Sequence, residues 1–322
     1  MKRREFIRGI GAVGAAWSSR ASAQSRKVVG YLASSSPDPK FEMAFRRGLS
    51  EQGIAEGPDF IIHEVFVHVQ YDQLPGLLTD LQKRGAAVVF ASGNQAALAI
   101  KAANTNIPAV FAVGDDPVTL GLVSSFNKPT PTLTGVSFYT VELLAKRLEL
   151  LSPLVPKHAS IAMLANPASP QHQQQVLLIR SSAATLDRRI EQFNAGTLAE
   201  LESAFASIVE KQVGGFLCST DPFFNAQRKQ LIAFAARHHL PAIYAGREYI
   251  EDGGLMAYGS LRIEAYRQAG AYVGRIIKGE KPTDLPVTQP TKFELLLNLK
   301  TAKAMNIAFP HSLLALADEV IE

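Results

Sequence analysis

Short apolar runs and amphipathic stretches alternate along this chain from Lys27 onward. Lys27–Leu32, Phe60–Val67, Ala87–Ala91 and Ala109–Val113 are rich in β-branched and aromatic residues, and each predicts a strand. Between them lie Pro39–Gln52, Gln73–Arg84 and Asn94–Asn104, whose apolar residues suit the face of a helix. In the first, Phe41, Ala44, Phe45 and Leu49 fall on one face. A period that switches from two to 3.6 roughly every 30 residues marks βαβ units and a parallel sheet.

The same grammar restarts after residue 140. Helices are predicted at Val141–Leu151, Gln171–Leu186, Leu198–Lys211, Ala226–His238 and Arg262–Lys278. Strands are predicted at Ser160–Ala165, Arg189–Phe193, Gly215–Ser219, Ala242–Ala245, Leu255–Tyr258 and Lys292–Asn298, the last after a connector stiffened by Pro286 and Pro290. A restart, as opposed to one growing sheet, implies an α/β protein of two doubly wound parallel-sheet lobes joined by a hinge. The expected division is residues 27–137 plus about 259–281 for the N-terminal lobe, and 138–258 plus about 282–322 for the C-terminal lobe. The expected hinge crossings are Gly135–Thr140, Tyr258–Leu261 and Lys281–Leu285.

Composition sharpens this picture. The chain has 322 residues, 47% hydrophobic and 19% charged, the balance of a folded globular protein. Its formal charge of +4 has a local source. Residues 1–23 hold Lys2, Arg3, Arg4, Arg8 and Arg20 against Glu5, and the remainder has 28 basic and 28 acidic residues. No polyanion-binding field follows from that average, so no nucleic-acid partner is expected. Those 23 residues run from a positive start through a weakly apolar stretch to Ala21-Ser22-Ala23, the layout of a cleaved export signal of twin-arginine or Sec type. The expected product is soluble, periplasmic and begins near Gln24.

Catalytic chemistry has no foothold. The seven histidines form no metal-ligand spacing, and no G-x-S-x-G or P-loop pattern occurs. Gly9-Ile10-Gly11 with Gly14 spells a dinucleotide fingerprint but precedes any strand. Cys218, the single cysteine, sits in the apolar run Gly215–Cys218 and reads as a core thiol. The expectation is a protein without catalysis, metal or cofactor.

Ligands of open parallel sheets bind beyond the carboxyl ends of strands. Here those ends include Ser34, Asn94, Asp115, Asn166, Thr220–Phe224 and Tyr244–Arg247. Ser, Asn and Asp at such ends cap helices and leave backbone N–H groups facing the cleft, where a carboxylate is favoured. Asp115 suits an ammonium, Phe223, Phe224 and Tyr244 suit a planar ring, with one of the two phenylalanines at most facing the cleft, and Arg247 suits either a carboxylate or a surface ion pair. Ser34 and Asn94 are equally suited to capping alone.

Several segments together carry a resemblance. They include Ile107–Phe111 leading to Gly114-Asp115-Asp116-Pro117, Ala145–Leu151, Asp221–Phe224, Gly253–Gly259, Leu285–Glu294 and Ala317–Glu322. Over nearly its whole length the chain resembles the tryptophan/tyrosine-type substrate-binding proteins of ABC importers, which have the type I periplasmic-binding-protein fold. The resemblance implies ligand held between the lobes, with contacts falling on Ser92, Gly93, Asn94, Gly114 and Asp115 in one lobe and Phe223 and Tyr244 in the other. Asn94 and Gln95 stand where the family commonly has small residues, which points to a more polar pocket. The implied partners are a small solute, aromatic or amino-acid-like, and an inner-membrane ABC permease, with the protein acting as a monomer. A periplasmic sensor working with a receptor, or an enzyme using the same cleft, are the alternatives.

Overall fold

The computed structural model describes residues 26–35, 37–67, 70–138, 141, 143–169 and 171–322. The expected export signal lies outside the described residues, as does Thr140 at the expected first crossing. In chain order the first half comprises β1 (Lys27–Ala33), α1 (Pro39–Ser50), β2 (Phe60–Phe66), α2 (Leu74–Lys83), β3 (Ala86–Ser92), α3 (Asn94–Ala103), β4 (Ala109–Val113) and β5 (Leu133–Ser137). Asp38 starts α1, its carboxylate accepting from the Lys40 amide at 3.1 Å, with Pro39 at the first helical position. Among the described residues these strands pair in the order β2-β1-β3-β4-β5, every pair parallel.

The second half continues with α4 (Leu144–Leu151), β6 (Ile161–Ala165), α5 (His172–Thr185), β7 (Ile190–Asn194), α6 (Leu198–Glu210), β8 (Gly215–Cys218), α7 (Pro222–Ala226) and α8 (Arg228–Arg237). Then come β9 (Ala242–Tyr244), α9 (Arg247–Glu251), β10 (Met256–Ser260), α10 (Arg262–Ile277), β11 (Phe293–Asn298), α11 (Leu299–Ala304), α12 (His311–Leu316) and β12 (Glu319–Ile321). The second sheet runs β12-β11-β10-β9-β8-β6-β7.

This sheet departs from the all-parallel expectation at one pair, because β11 is antiparallel to β10. The reason is the path of the chain. Strand β10 ends at the hinge with Ser260, α10 travels through the other lobe, and the chain re-enters beside Ser260 at Phe293. It can only run back the opposite way.

Each sheet is covered on both faces. In the first lobe α1 and α10 pack over Tyr31 and Phe90, with Phe45 of α1 against both rings, while α2 and α3 bring Leu78, Leu81 and Ile100 against Phe111. In the second, Leu148 and Ile179 lie over Met163 on one face, and Leu201, Phe224 and Phe234 lie over Phe216 on the other. Full burial of such a side chain stabilises by about 1.5–3 kcal/mol. Helices α1 and α10 approach unusually closely: a Cβ on Gly48 would lie 1.8 Å from the Arg267 carbonyl oxygen, and one on Gly270 2.0 Å from that of Phe45.

The chain leaves the first core after Phe138, enters the second by Leu144, and returns at Leu261. The Ser260 hydroxyl donates to the Phe138 carbonyl at 2.6 Å, tying these two strands of the hinge together. The stretch after α10 stays with the first lobe. Leu285 and Val287 are buried in its cores, the Ser137 amide donates to the Thr288 carbonyl at 2.9 Å, and the Thr288 amide to that of Gly135 at 3.1 Å. The third crossing therefore follows Thr288, later than the expected Lys281–Leu285.

Candidate functional site

Because the strands leading into both lobes are parallel, their carboxyl ends face a common space. From the first lobe Ser34 and Ser35 follow β1, Ser92 ends β3, Gly93–Gln95 open α3, and Gly114 follows β4. From the second, Ser169 and Gln171 follow β6, Ser219–Asp221 follow β8, Asn225 lies on α7, and Ala245 follows β9. Phe138 at the hinge, Tyr249, Arg262 and Tyr266 complete a cavity of about 780 Å³ including its mouth.

The first-lobe wall is set by β3 and the turn after it. Gly93 has φ +98°, and a Cβ there would meet Ser34 Oγ at 2.1 Å, so the turn requires glycine. The Ser34 hydroxyl donates to the Ser92 carbonyl at 2.8 Å, and the Ser92 hydroxyl is paired with that of Tyr266 at 2.7 Å. Asn94 turns its side chain inward along the sheet, accepting from the Gly114 amide at 3.0 Å. No side chain caps α3, whose first amides have no intrahelical acceptor and carry the positive end of the helix dipole toward the cavity. Gln95 is 7% exposed, and its Oε1 has no hydrogen-bond partner among the described residues.

The opposite wall is held rigidly by three buried side chains. Gln175 on α5 clamps Thr220 through both backbone groups, donating to its carbonyl at 2.9 Å and accepting from its amide at 2.7 Å. Asn166 donates to Asp221 Oδ1 at 3.0 Å, and the Phe223 amide to the same oxygen at 2.8 Å. Arg147, 1% exposed, reaches from α4 to the Tyr258 carbonyl at 2.8 Å and to the Thr220 hydroxyl at 3.4 Å. Burial lowers its pKa to about 10, opposed by Cys218, Tyr249 and Glu248, and it stays a cation beneath the floor. Burial likewise raises the Asp221 carboxyl above its ordinary range, against the Asn166, Phe223 and Ser169 hydrogen-bond donors. Asp221 Oδ2 has no hydrogen-bond partner among the described residues, and the nearby Ser169 hydroxyl donates to Gln171 Oε1 at 3.3 Å.

The lobes meet across this cavity. Arg262, at the start of α10, pairs with Glu248 of α9 while its guanidinium lies 4.5 Å over the Phe41 ring and 5.4 Å over that of Phe138. Lys40 pairs with Glu251, and Arg228, held by Asp252 at 2.6 Å, stands 4.0 Å from Asp38.

Of the residues expected in the site, Ser34, Ser92, Gly93, Asn94 and Gly114 line the cavity. The other four do not. Asp115 is 4% exposed and lies behind the wall, its carbonyl accepting from Ser137. Phe223 is buried in the second-lobe core, because Asp221 caps α7 and the helical turn swings Phe223 and Phe224 inward, leaving Asn225 toward the cleft. Tyr244 lies beneath the sheet, stacked on Tyr249 at 4.8 Å, and Tyr249 is the ring that lines the cavity. Arg247 holds Glu294 with two bonds, at 3.1 and 2.6 Å, and Glu319 at 2.8 Å, tying α9 to β11 and β12. Cys218 touches the cavity wall but is buried, which pushes its thiol up to about 12 and leaves it unreactive. Gln95, Asp221 and Asn225 adjoin strand ends and were open to the strand-end rule. Arg262 and Tyr266 carry no local signal, since only the path of α10 brings them here.

Comparison with known proteins agrees with this architecture. Residues 39–321 match the family model described as ABC transporter substrate binding protein. A curated relative, the tyrosine-binding protein of Clostridioides difficile (strain R20291), is 24% identical over 270 residues, covering 83% of this chain and 77% of that protein. Among solved structures, a conserved domain protein from Vibrio cholerae aligns with a TM-score of 0.82 at 23% identity, over 91% of this chain and 99% of that one. An ABC domain from Streptococcus pneumoniae in complex with L-Trp aligns with a TM-score of 0.80 at 22% identity, over 92% and 100%. The two-lobed arrangement is that of type I periplasmic binding proteins.

Proposed function

The chain belongs to the ABC transporter substrate-binding protein family, and we propose that it captures an amino acid, aromatic or close to it, and releases it unchanged to a permease. The observation that carries this reading is a pair of buried acceptors facing one cavity from opposite lobes, Gln95 Oε1 and Asp221 Oδ2. A buried polar atom left without a partner costs about 1–3 kcal/mol. A ligand ammonium between them satisfies both and neutralises Asp221. The carboxylate of the same ligand suits the uncapped start of α3. Phe138, Tyr249 and Tyr266 offer ring faces to its side chain. Tyrosine and L-Trp, named for the two relatives, are ligands of this class.

In this reading the ligand bridges the lobes and favours the closed state by its differential affinity for it. The closed monomer then presents both lobes to an inner-membrane permease, after export to the periplasm directed by residues 1–23. No step makes or breaks a covalent bond.

A thermal-shift screen of the purified protein against amino acids, aromatic acids, nucleobases and sugars tests this. A ligand at ~100 times its Kd adds about 2.7 kcal/mol of stability. The expected result is a raised Tm with an aromatic amino acid that is recovered chemically unchanged. A response confined to sugars or nucleobases, or recovery of a converted product, overturns the reading.

A further inference from the structure

We infer that Asn225 and Arg262 form a subsite for the far end of the ligand, selecting a side chain that ends in a hydroxyl group over one that ends in bare hydrocarbon. The inference rests on the amino-acid reading of the main cavity and adds what its side chain must carry.

Beside the main cavity lies a small second chamber that shares Ser35, Ser92, Asn225, Arg262 and Tyr266 with it, so the two adjoin. The rest of the chamber is lined by Ala33, Asp38 and the rings of Tyr31, Phe41 and Phe66. Two of the shared residues carry a buried polar atom without a hydrogen-bond partner among the described residues: Asn225 Oδ1, an acceptor, and Arg262 Nε, a donor. The other shared polar pair is already satisfied, since Ser92 and Tyr266 hydrogen-bond each other at 2.7 Å.

The Arg262 guanidinium is not free to turn away. Arg262 is pinned by its ion pair with Glu248 and by its contacts with the rings of Phe41 and Phe138. Asn225 is placed by α7, its backbone amide donating to the Asp221 carbonyl at 3.2 Å. That bond places Asn225 one helical turn from Asp221, about 5–6 Å along the wall. A ligand anchored by its ammonium at Asp221 can extend its side chain along this wall toward Asn225 and Arg262.

The chemistry of the pair defines what fits. A hydroxyl accepts from Arg262 Nε and donates to Asn225 Oδ1, satisfying both. An indole N–H can serve Asn225 only. A phenyl ring serves neither and leaves two buried groups unpaired, which is how a site built for a hydroxyl rejects the analogue lacking one. The expected order is tyrosine, then tryptophan, then phenylalanine.

Titration calorimetry of the purified protein with these three amino acids tests the subsite. Tyrosine is expected to bind at least ten-fold more tightly than phenylalanine, with tryptophan between. In Asn225→Ala the tyrosine-to-phenylalanine ratio should fall toward one. Arg262→Lys keeps the charge facing Glu248 but removes the Nε donor, and should compress the ratio independently; melting curves of both variants establish that they are folded. Equal affinity for tyrosine and phenylalanine in the unaltered protein, or an unchanged ratio in both variants, overturns the subsite and leaves the amino-acid reading intact. Binding of none of the three overturns that reading, and the subsite with it.

Discussion

At Asp221 two demands conflict, because the carboxylate that would hold a ligand's ammonium must be kept dry enough to hold it well. Burial raises its pKa, and the Asn166, Phe223 and Ser169 donors only partly offset this. For an acid whose folded pKa lies above its unfolded value, the stabilising contribution is complete below the ordinary Asp range near ~3.9 and is lost as pH rises through the folded value. At neutral pH the empty protein therefore carries a destabilising carboxylate. A bound ammonium reverses the preference, so amino-acid affinity should weaken as pH falls through the raised pKa of Asp221. Calorimetric titrations from about pH 7 to about pH 4 should show that decline. In Asp221→Asn the pH dependence should flatten and affinity at neutral pH should drop about ten-fold or more. The Tm of the empty variant should stay level or rise, as expected where function rests on a strained group. A fall in Tm matching the loss of affinity would mark Asp221 as structural.

Helices α1 and α10 show how an element far apart in sequence can be specified by the absence of side chains. Gly48 faces the Arg267 carbonyl and Gly270 the Phe45 carbonyl, each too close for a methyl group. Because α10 follows the second crossing, this contact is what returns residues 262–277 to the first lobe and brings Arg262 and Tyr266 to the cavity. Gly48→Ala or Gly270→Ala should lower stability by about 1–3 kcal/mol or more, read from urea midpoints. Gly76 in α2 meets nothing within 4 Å, and Gly76→Ala should be neutral or stabilising by roughly 0.4–1 kcal/mol. Similar losses at all three positions would mean that helix packing is not the cause. At this scale the long elements were legible from periodicity, while β5, α7 and α9 were not. Strand β5 is five residues containing Thr134 and Gly135, and α7 and α9 are five residues each, too short for a period to register.

Across the whole molecule the lobes are drawn together on one side by charge. Lys40 with Glu251 and Asp38 with Arg228 join α1 and the turn before it to α9 and α8, and Arg262 with Glu248 lies deeper. Exposed pairs contribute only about 0.2–1 kcal/mol each and are screened by salt. They bias the closed state without fixing it, leaving the larger share to ligand. Glu251→Lys, placed opposite Lys40, should enlarge the empty protein's radius of gyration in solution scattering and weaken ligand binding a few-fold. High salt should have a smaller effect in the same direction. An unchanged radius together with unchanged affinity would show that the seam does not influence closure.

What the sequence by itself determined is the alternation of buried strands with one-sided helices and its restart after residue 140, hence two α/β lobes whose strand ends face a cleft. These follow from local periodicity, because each segment's apolar spacing states which face it must bury. It equally determined which loops carry Ser34, Ser92, Asn94 and Asp221 to those ends. Only the tertiary structure decided which side chains enter the cavity. Within Asp221–Asn225 the cap at Asp221 sets the phase of α7, sending Phe223 to the core and Asn225 to the cleft. Tyr249, and not the Tyr244 ring stacked on it in the core, borders the cavity, and Arg247 is claimed by Glu294 of β11 and Glu319 of β12, strands that return only at the end of the chain. Such choices depend on partners brought close through space, and the spacing of residues along the chain carries no record of them.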